Sequence, residues 1–185
     1  GAYSVTITDA NGCPQVFNFN VAEPAPIAIT STVVDATCNG GNDGSITLNT
    51  VTGGTAPYTF LWSTGAITQN ISGLAAGAYS VTITDANGCP QVFTDNVAEG
   101  DAIGITSTVV DASCNGASNG SITLNTVTGG TAPYTFLWST GAITQNIAGL
   151  TAGAYSVTIT DANGCPQVFN FNVAEPAPIA ITSTV

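Results

Sequence analysis

The sequence predicts an all-β chain of tandem β-sandwich modules arranged head to tail, and three observations carry that expectation. The string GAYSVTITDANGCPQVF begins at Gly1, Gly77 and Gly153, which sets a period of 76 residues. Repetition at a fixed spacing of this kind marks an array of like units. Between clusters of turn residues, apolar and polar positions alternate over short runs, the pattern of half-buried strands. No stretch carries the period of a helix.

The copy from 27 to 102 lays out its strands in order. Ile27 to Val34 reads as strand A and is followed by the turn chemistry of Asn39-Gly40-Gly41-Asn42-Asp43-Gly44. Ser45 to Thr52 reads as strand B with Ile46 and Leu48 inward, and Gly53-Gly54 closes it. Pro57 to Trp62 reads as C, and Ala66 to Ile71 as a further short strand. Tyr79 to Thr84 reads as F with Tyr79, Val81 and Ile83 inward; Asp85-Ala86-Asn87-Gly88 is a hairpin signal leading into G, Cys89 to Val97. About seven short strands, a Trp on C and a Tyr at the start of F match an immunoglobulin-like sandwich. Trp62 and Tyr79, with their copies Trp138 and Tyr155, are therefore expected in the cores. Outward positions carry mostly Thr, Ser and Asn, and β-branching at Thr favours extended backbone.

On this reading residues 1–26 supply strands F and G of a truncated module, 27–102 and 103–178 are complete modules, and 179–185 begin strand A of the next. The two complete copies differ at 12 positions, clustered at 41–43 and 94–102. Residues 1–33 and 153–185 are identical whereas 94–102 differs from both, so the full repeat is an alternating pair of 152 residues. Pro24 and Pro26, and their copies Pro176 and Pro178, stiffen two of the joints. Glu99-Gly100-Asp101-Ala102 stands at the middle joint and predicts a looser one. The chain has no Met and opens at Gly1 inside a strand pattern, which leads to the expectation of an internal segment of a longer array.

Charge narrows the function classes. Eleven Asp and Glu face no Lys, Arg or His, for a net charge of -11. Nucleic acid and anionic membrane surfaces recruit Lys and Arg, so both are disfavoured as partners. The same absence removes the usual general base, the Schiff-base lysine, the imidazole ligand and the transition-state arginine. No nucleophile, base and oxyanion constellation can be assembled, so neither an enzyme nor a cofactor is expected. No apolar run approaches the roughly 20 residues of a spanning helix, so direct membrane insertion of this segment is not expected.

Cys38-Asn39-Gly40, Asp43-Gly44-Ser45-Ile46, Gly53-Gly54, Pro57-Tyr58, Trp62-Ser63, Gly73-Leu74, Gly77-Ala78-Tyr79 and Asp85-Ala86-Asn87-Gly88-Cys89 together resemble the SprB-type repeats of large surface proteins of gliding bacteria and of related secreted proteins. The second copy carries the pattern from Cys114 to Cys165, with Asn119 in place of Asp43. The resemblance implies export to the cell surface or beyond, and service as a long filament or adhesin in gliding motility or attachment.

Five cysteines, Cys13, Cys38, Cys89, Cys114 and Cys165, fall at two positions per module, and an oxidising extracellular setting suits them. Pairing within modules would join Cys38 to Cys89 and Cys114 to Cys165. Sandwich topology objects, because the A–B turn and the F–G turn lie at opposite ends of strands roughly 25 Å long, whereas bonded cysteines need Cα atoms within about 7 Å. In a head-to-tail array the F–G end of one module faces the A–B end of the module before it. The favoured expectation is therefore Cys38 bonded to Cys165 between modules, with Cys13, Cys89 and Cys114 bonded to modules outside the segment.

Other motifs have blander readings. Asp85, Asn87, Asn39 and Asp43 offer oxygens for calcium at module ends, but Asx side chains more commonly build turns. Thr82-Ile83-Thr84 has the spacing of ice-binding arrays, but an outward Thr on an ordinary sandwich strand is far commoner. Asn70-Ile71-Ser72 and Asn119-Gly120-Ser121 match glycosylation sequons. Phe19 and Phe171, against Asp95 in the middle copy, suggest an extra core or junction contact in alternate modules.

Two functions follow. The first is mechanical: a structural repeat segment of a secreted, cell-surface filament or adhesin stalk, stiffened by Pro joints and disulfides, whose partners are neighbouring modules and lateral copies of the fibre. The second is a repeated binding module that attaches cells to a surface or polysaccharide.

Overall fold

Clusters of Gly, Asn, Asp and Pro divide the chain into short extended segments, because these residues supply turns and break ladders. In the computed structural model, which describes residues 1–181, the regular elements are all strands. A first hairpin, β1 (Ala2–Thr8) and β2 (Pro14–Asn20), is followed by β3 (Ala28–Val34), β4 (Gly44–Thr52), β5 (Thr59–Trp62), β6 (Ile71–Leu74), β7 (Gly77–Thr84) and β8 (Pro90–Val97). The same order then recurs as β9 (Gly104–Val110), β10 (Gly120–Thr128), β11 (Thr135–Trp138), β12 (Ile147–Leu150), β13 (Gly153–Thr160) and β14 (Pro166–Val173).

Each set of six forms two three-stranded sheets. One joins β3, β4 and β6, the other β5, β7 and β8, and the copies are β9-β10-β12 and β11-β13-β14. In strand letters these are A-B-E and C-F-G, the division of an immunoglobulin-like sandwich. Within the C-F-G sheet of the second copy, Trp138 pairs with Val157 and Tyr155 with Phe171 in antiparallel register. The alternation of β13 therefore sends Val157 and Ile159 to one face, where they are fully buried with Ile122, Leu124, Trp138 and Val173. Ile46, Leu48, Trp62, Val81, Ile83 and Val97 are the buried counterparts in the first copy.

By contacts the chain divides into two compact units. The first comprises Gly1–Val33, Ile46–Ile71 and Ala78–Asn96; the second takes Val34–Ser45, Ser72–Gly77 and the chain from Val97 onward. The turn between β3 and β4, although it lies in the first sequence copy, thus belongs to the second unit.

Two expectations change. The segment Ala66 to Ile71 is not a strand: pairing begins only at Ile71. Polar side chains take the place of a ladder there, since Asn70 accepts the Leu48 N–H at 3.0 Å and Gln69 donates to the Leu48 carbonyl at 2.7 Å. Each copy has six strands, the fourth shifted to Ile71–Leu74 or Ile147–Leu150. Tyr79 and Tyr155 are half-buried rather than deep in the core. The Tyr155 hydroxyl donates to the Thr151 carbonyl at 2.9 Å, which keeps its tip at the corner before β13. Trp62 and Trp138 are core residues at 2% exposure, and each indole N–H donates to a carbonyl, Thr68 or Thr144, at 2.8 Å. Residues 179–181 form no strand, and the remainder of the expected strand 179–185 lies outside the described residues.

Candidate functional site

The residues with the most elaborate support are the cysteine-bearing turns. Thr37-Cys38-Asn39-Gly40 is short and polar, so its shape depends on partners from outside itself. Asp43 Oδ1 accepts the Thr37 N–H at 2.9 Å, and the Gly41 N–H closes onto the Cys38 carbonyl at 2.9 Å. The Glu99 carboxylate then grips the turn from the linker, accepting from Asn39 Nδ2 at 2.9 Å and from the Gly40 N–H at 2.6 Å. A parallel bridge between Ala36 and Glu99 and the bond from the Ala36 N–H to the Ala98 carbonyl at 2.9 Å seat the linker beside the turn.

The second cysteine turn is organised by a buried carboxylate. Asp161 Oδ1 accepts the N–H groups of Asn163 and Cys165, and Oδ2 accepts that of Thr131, all at 2.9 Å. These bonds, from Cys165 first and Thr131 next, hold its carboxyl below the ordinary value against the opposing effect of burial. Asp85 repeats the arrangement with Cys89, Thr55 and Asn87, and the Cys89 N–H is the main cause of its lowering.

Cys38 and Cys165 meet in a disulfide with Cα atoms 5.4 Å apart and a sequence separation of 127. Both ends lie in the second compact unit. The bond thus joins a β3–β4 turn to a β13–β14 turn, one from each sequence copy. The pairings Cys38 with Cys89 and Cys114 with Cys165 are not formed, and Cys13, Cys89 and Cys114 are free and exposed.

The linker 99–102 is held on both sides. Its Asp101 carbonyl accepts the Gly130 N–H at 3.0 Å, while Glu99 holds the Cys38 turn. Glycine is required next to it: at Gly129, φ is +67° and a Cβ would sit 2.0 Å from the Ala102 carbonyl oxygen. A Cβ at Gly100 would lie 2.6 Å from the Thr37 carbonyl oxygen. Gly100 therefore serves close approach to the turn that carries Cys38. The Pro-containing joints show the same bonds in halves. Ala25 accepts from Gly54 at 2.7 Å, and Glu175 accepts from Asn115 and Gly116 at 2.8 and 2.7 Å. Pro24, Pro26, Pro176 and Pro178 are exposed.

The remaining candidates resolve locally. Among the described residues no three His, Cys, Asp or Glu side chains gather as a metal site, and Asp43 and Asp85 spend their oxygens on main-chain N–H groups. Asn70 and Asn119 are likewise engaged, the latter donating Nδ2 to Ser113 Oγ at 2.7 Å. Thr82 and Thr84 are half-buried. Phe171 packs on Trp138 with ring centroids 5.7 Å apart, whereas Asp95 at the matching position accepts from Ser31 Oγ at 3.1 Å. Sequence reading missed Glu99 and Glu175. Their constant distance from Asn39 and Asn115, one repeat copy to the next, was the available signal.

The SprB repeat model matches residues 30–67 and 106–143, corresponding segments of the two copies. No curated protein matches the chain. Among solved structures, the three N-terminal domains of the Highly Immunogenic Outer Capsid protein of bacteriophage RB49 align at 16% identity and a TM-score of 0.42, over 80% of this chain and 58% of that one. The N-terminal eight Ig domains of Down Syndrome Cell Adhesion Molecule align at 13% identity and a TM-score of 0.44, over 95% and 28%. An I-band fragment of titin aligns at 14% identity and a TM-score of 0.38, over 84% and 68%. The chain thus spans under two thirds of the first two.

Proposed function

We propose that this chain is a structural segment of a long extracellular or cell-surface filament or adhesin stalk, and that its working parts are its joints. The observation that carries the reading is the disulfide between Cys38 and Cys165, set between a turn gripped by Glu99 and a turn held by Asp161. A ligand-binding surface does not need successive repeats to be fastened to each other; a load-bearing rod does. Structural disulfides persist in oxidising compartments, which supports secretion. Similarity to SprB repeats points the same way. With no Lys, Arg or His the segment lacks the imidazole, amine and guanidinium groups of most catalytic sites and keeps only carboxylates for acid–base work, in keeping with a non-catalytic role. Repeats of one chain are its main partners, and lateral copies are a further class.

Immunogold electron microscopy, with antibody raised against this chain on the cells that make it, tests the reading. Labelled filaments outside the cell with a regular axial spacing are expected. Label confined to the cytoplasm, or to discrete globular particles, would sink it.

A further inference from the structure

Two open clefts in the molecule each carry one side of the closed junction together with a copy of its linker. In the second unit, Ser113, Cys114, Asn115, Pro176, Pro178 and Ile179 line one of them. Shifted back by one repeat, these positions are Thr37, Cys38, Asn39, Gly100, Ala102 and Ile103. In the first unit, Pro26, Ile27, Gly54, Asp85, Cys89 and Pro90 line the other cleft. Shifted forward by one repeat, they are Ala102, Ile103, Gly130, Asp161, Cys165 and Pro166. In the closed junction, Cys38 and Asn39 line one cavity together with Ile103, Cys165 and Pro166.

Each half already has its closed-junction geometry. Glu175 grips Asn115 and Gly116 at 2.8 and 2.7 Å, as Glu99 grips Asn39 and Gly40 at 2.9 and 2.6 Å. Asp85 holds the Cys89 and Thr55 N–H groups at 2.9 Å, the distances at which Asp161 holds those of Cys165 and Thr131. Both thiols are exposed. Preorganised surfaces dock at a reduced ordering cost.

We propose that each open half is a docking site for a further repeat of this same sequence type, resting on the filament reading above. The Cys89 cleft, whose lining already includes Glu23, takes a Cys-Asn-Gly turn for that Glu to grip; the Cys114 turn, already held by Glu175, enters an Asp-organised cleft; and each contact closes as a disulfide. Two thiols give up two protons and two electrons to a disulfide oxidant of the glutathione class, which is reduced to two thiols as the new S–S bond forms. Because the closed loop separates its cysteines by 127 residues and the repeat is 76, loops from successive repeats overlap. Every backbone bond in the interior of such an array is then bridged by at least one disulfide, and one proteolytic cut does not sever it.

The test uses the full chain with Cys13→Ser, which removes the other turn cysteine of the Cys89 type. The chain is oxidised in oxidised and reduced glutathione at rising protein concentration, then analysed by non-reducing electrophoresis and peptide mapping. A ladder is expected in which links between molecules from Cys89 to Cys114 exceed like-with-like links about tenfold, a modest preference on the affinity scale. Random pairing, a monomer-sized product linking Cys89 to Cys114, or no ladder at all would overturn the proposal. Glu175→Gln should lower the ladder yield several-fold with Cys38–Cys165 intact, and an unchanged yield would overturn docking through the gripped turn. Absence of Cys38–Cys165 from the same map would instead sink the filament reading itself.

Discussion

The hairpin β1–β2 and the hairpin β13–β14 are the same sequence in two settings. Both pair in the same register, Tyr3 with Phe19 and Tyr155 with Phe171. In the first, Tyr3, Val5 and Ile7 are all exposed, while in the second Val157 and Ile159 are completely buried. Cys13 is a free thiol where Cys165 is bonded. Among the described residues Asp9 accepts the local N–H groups of Asn11 and Cys13, whereas Asp161 adds that of Thr131. Turn and ladder are thus local properties of the sequence; burial, the third bond of the Asp and the disulfide come from strands and turns far along the chain. Each position in one hairpin is a control for its twin in the other.

The largest expected difference is at the cysteines. In a chain with Cys89 and Cys114 already changed to Ser, Cys165→Ser should cost the second unit about 5 kcal/mol, the chain-entropy value for so long a loop. Cys13→Ser in the same background should cost nothing measurable. Urea unfolding followed at the Trp residues reads both, and equal effects would mean the loop is not what constrains the unfolded chain. Next come the core aliphatics: Ile159→Ala should destabilise by about 3 kcal/mol through lost burial and a cavity, and Ile7→Ala by under about 0.5 kcal/mol.

The third contrast involves the aromatic that alternates between repeats. Phe171 is half-buried against Trp138, so Phe171→Ala should cost about 1–2 kcal/mol from partial burial and loss of the ring pair. Phe19→Ala, at an exposed twin, should be close to neutral. The middle copy sharpens this, because Asp95 there bonds Ser31 and makes no ring contact. Asp95→Phe is expected to stabilise the first unit if the space beside Trp62 matches that beside Trp138, and a loss of stability would show that the two copies are packed differently.

What the sequence made legible follows the same division. Period, strand order, the hairpin turn at Asp85-Ala86-Asn87-Gly88 and the inward Trp62 all depend on neighbours within a few residues or on strict alternation. Ala66 to Ile71 misled because its β-branched pattern is strand-like, yet Gln69 and Asn70 bond the backbone at Leu48 through their side chains. Only the fold brings those positions together. Glu99 was passed over for the same reason, since its partners Asn39 and Gly40 lie about 60 residues earlier. Gly100 suggested flexibility because glycine's freedom is visible in sequence, and the close approach of the Thr37 carbonyl is not.

The smallest contrast is the response to acid. The Asp161 carboxyl is held below its ordinary value of 3.8, chiefly by the Cys165 N–H and then by that of Thr131, with burial opposing. A carboxyl depressed in the folded state binds fewer protons there than in the unfolded chain. Its stabilisation is therefore present in full above the unfolded value and is lost as pH falls through the folded one. Asp161→Asn removes that titration: the second unit should be less stable at neutral pH but should lose less stability between about pH 5 and pH 2 than the parent. Denaturant unfolding at stepped pH measures the slope directly. An unchanged acid slope in Asp161→Asn would mean that the turn carboxylate is not what makes this junction acid-sensitive, and Asp43, lowered by the Thr37 bonds in the turn that carries Cys38, would be the group to change next.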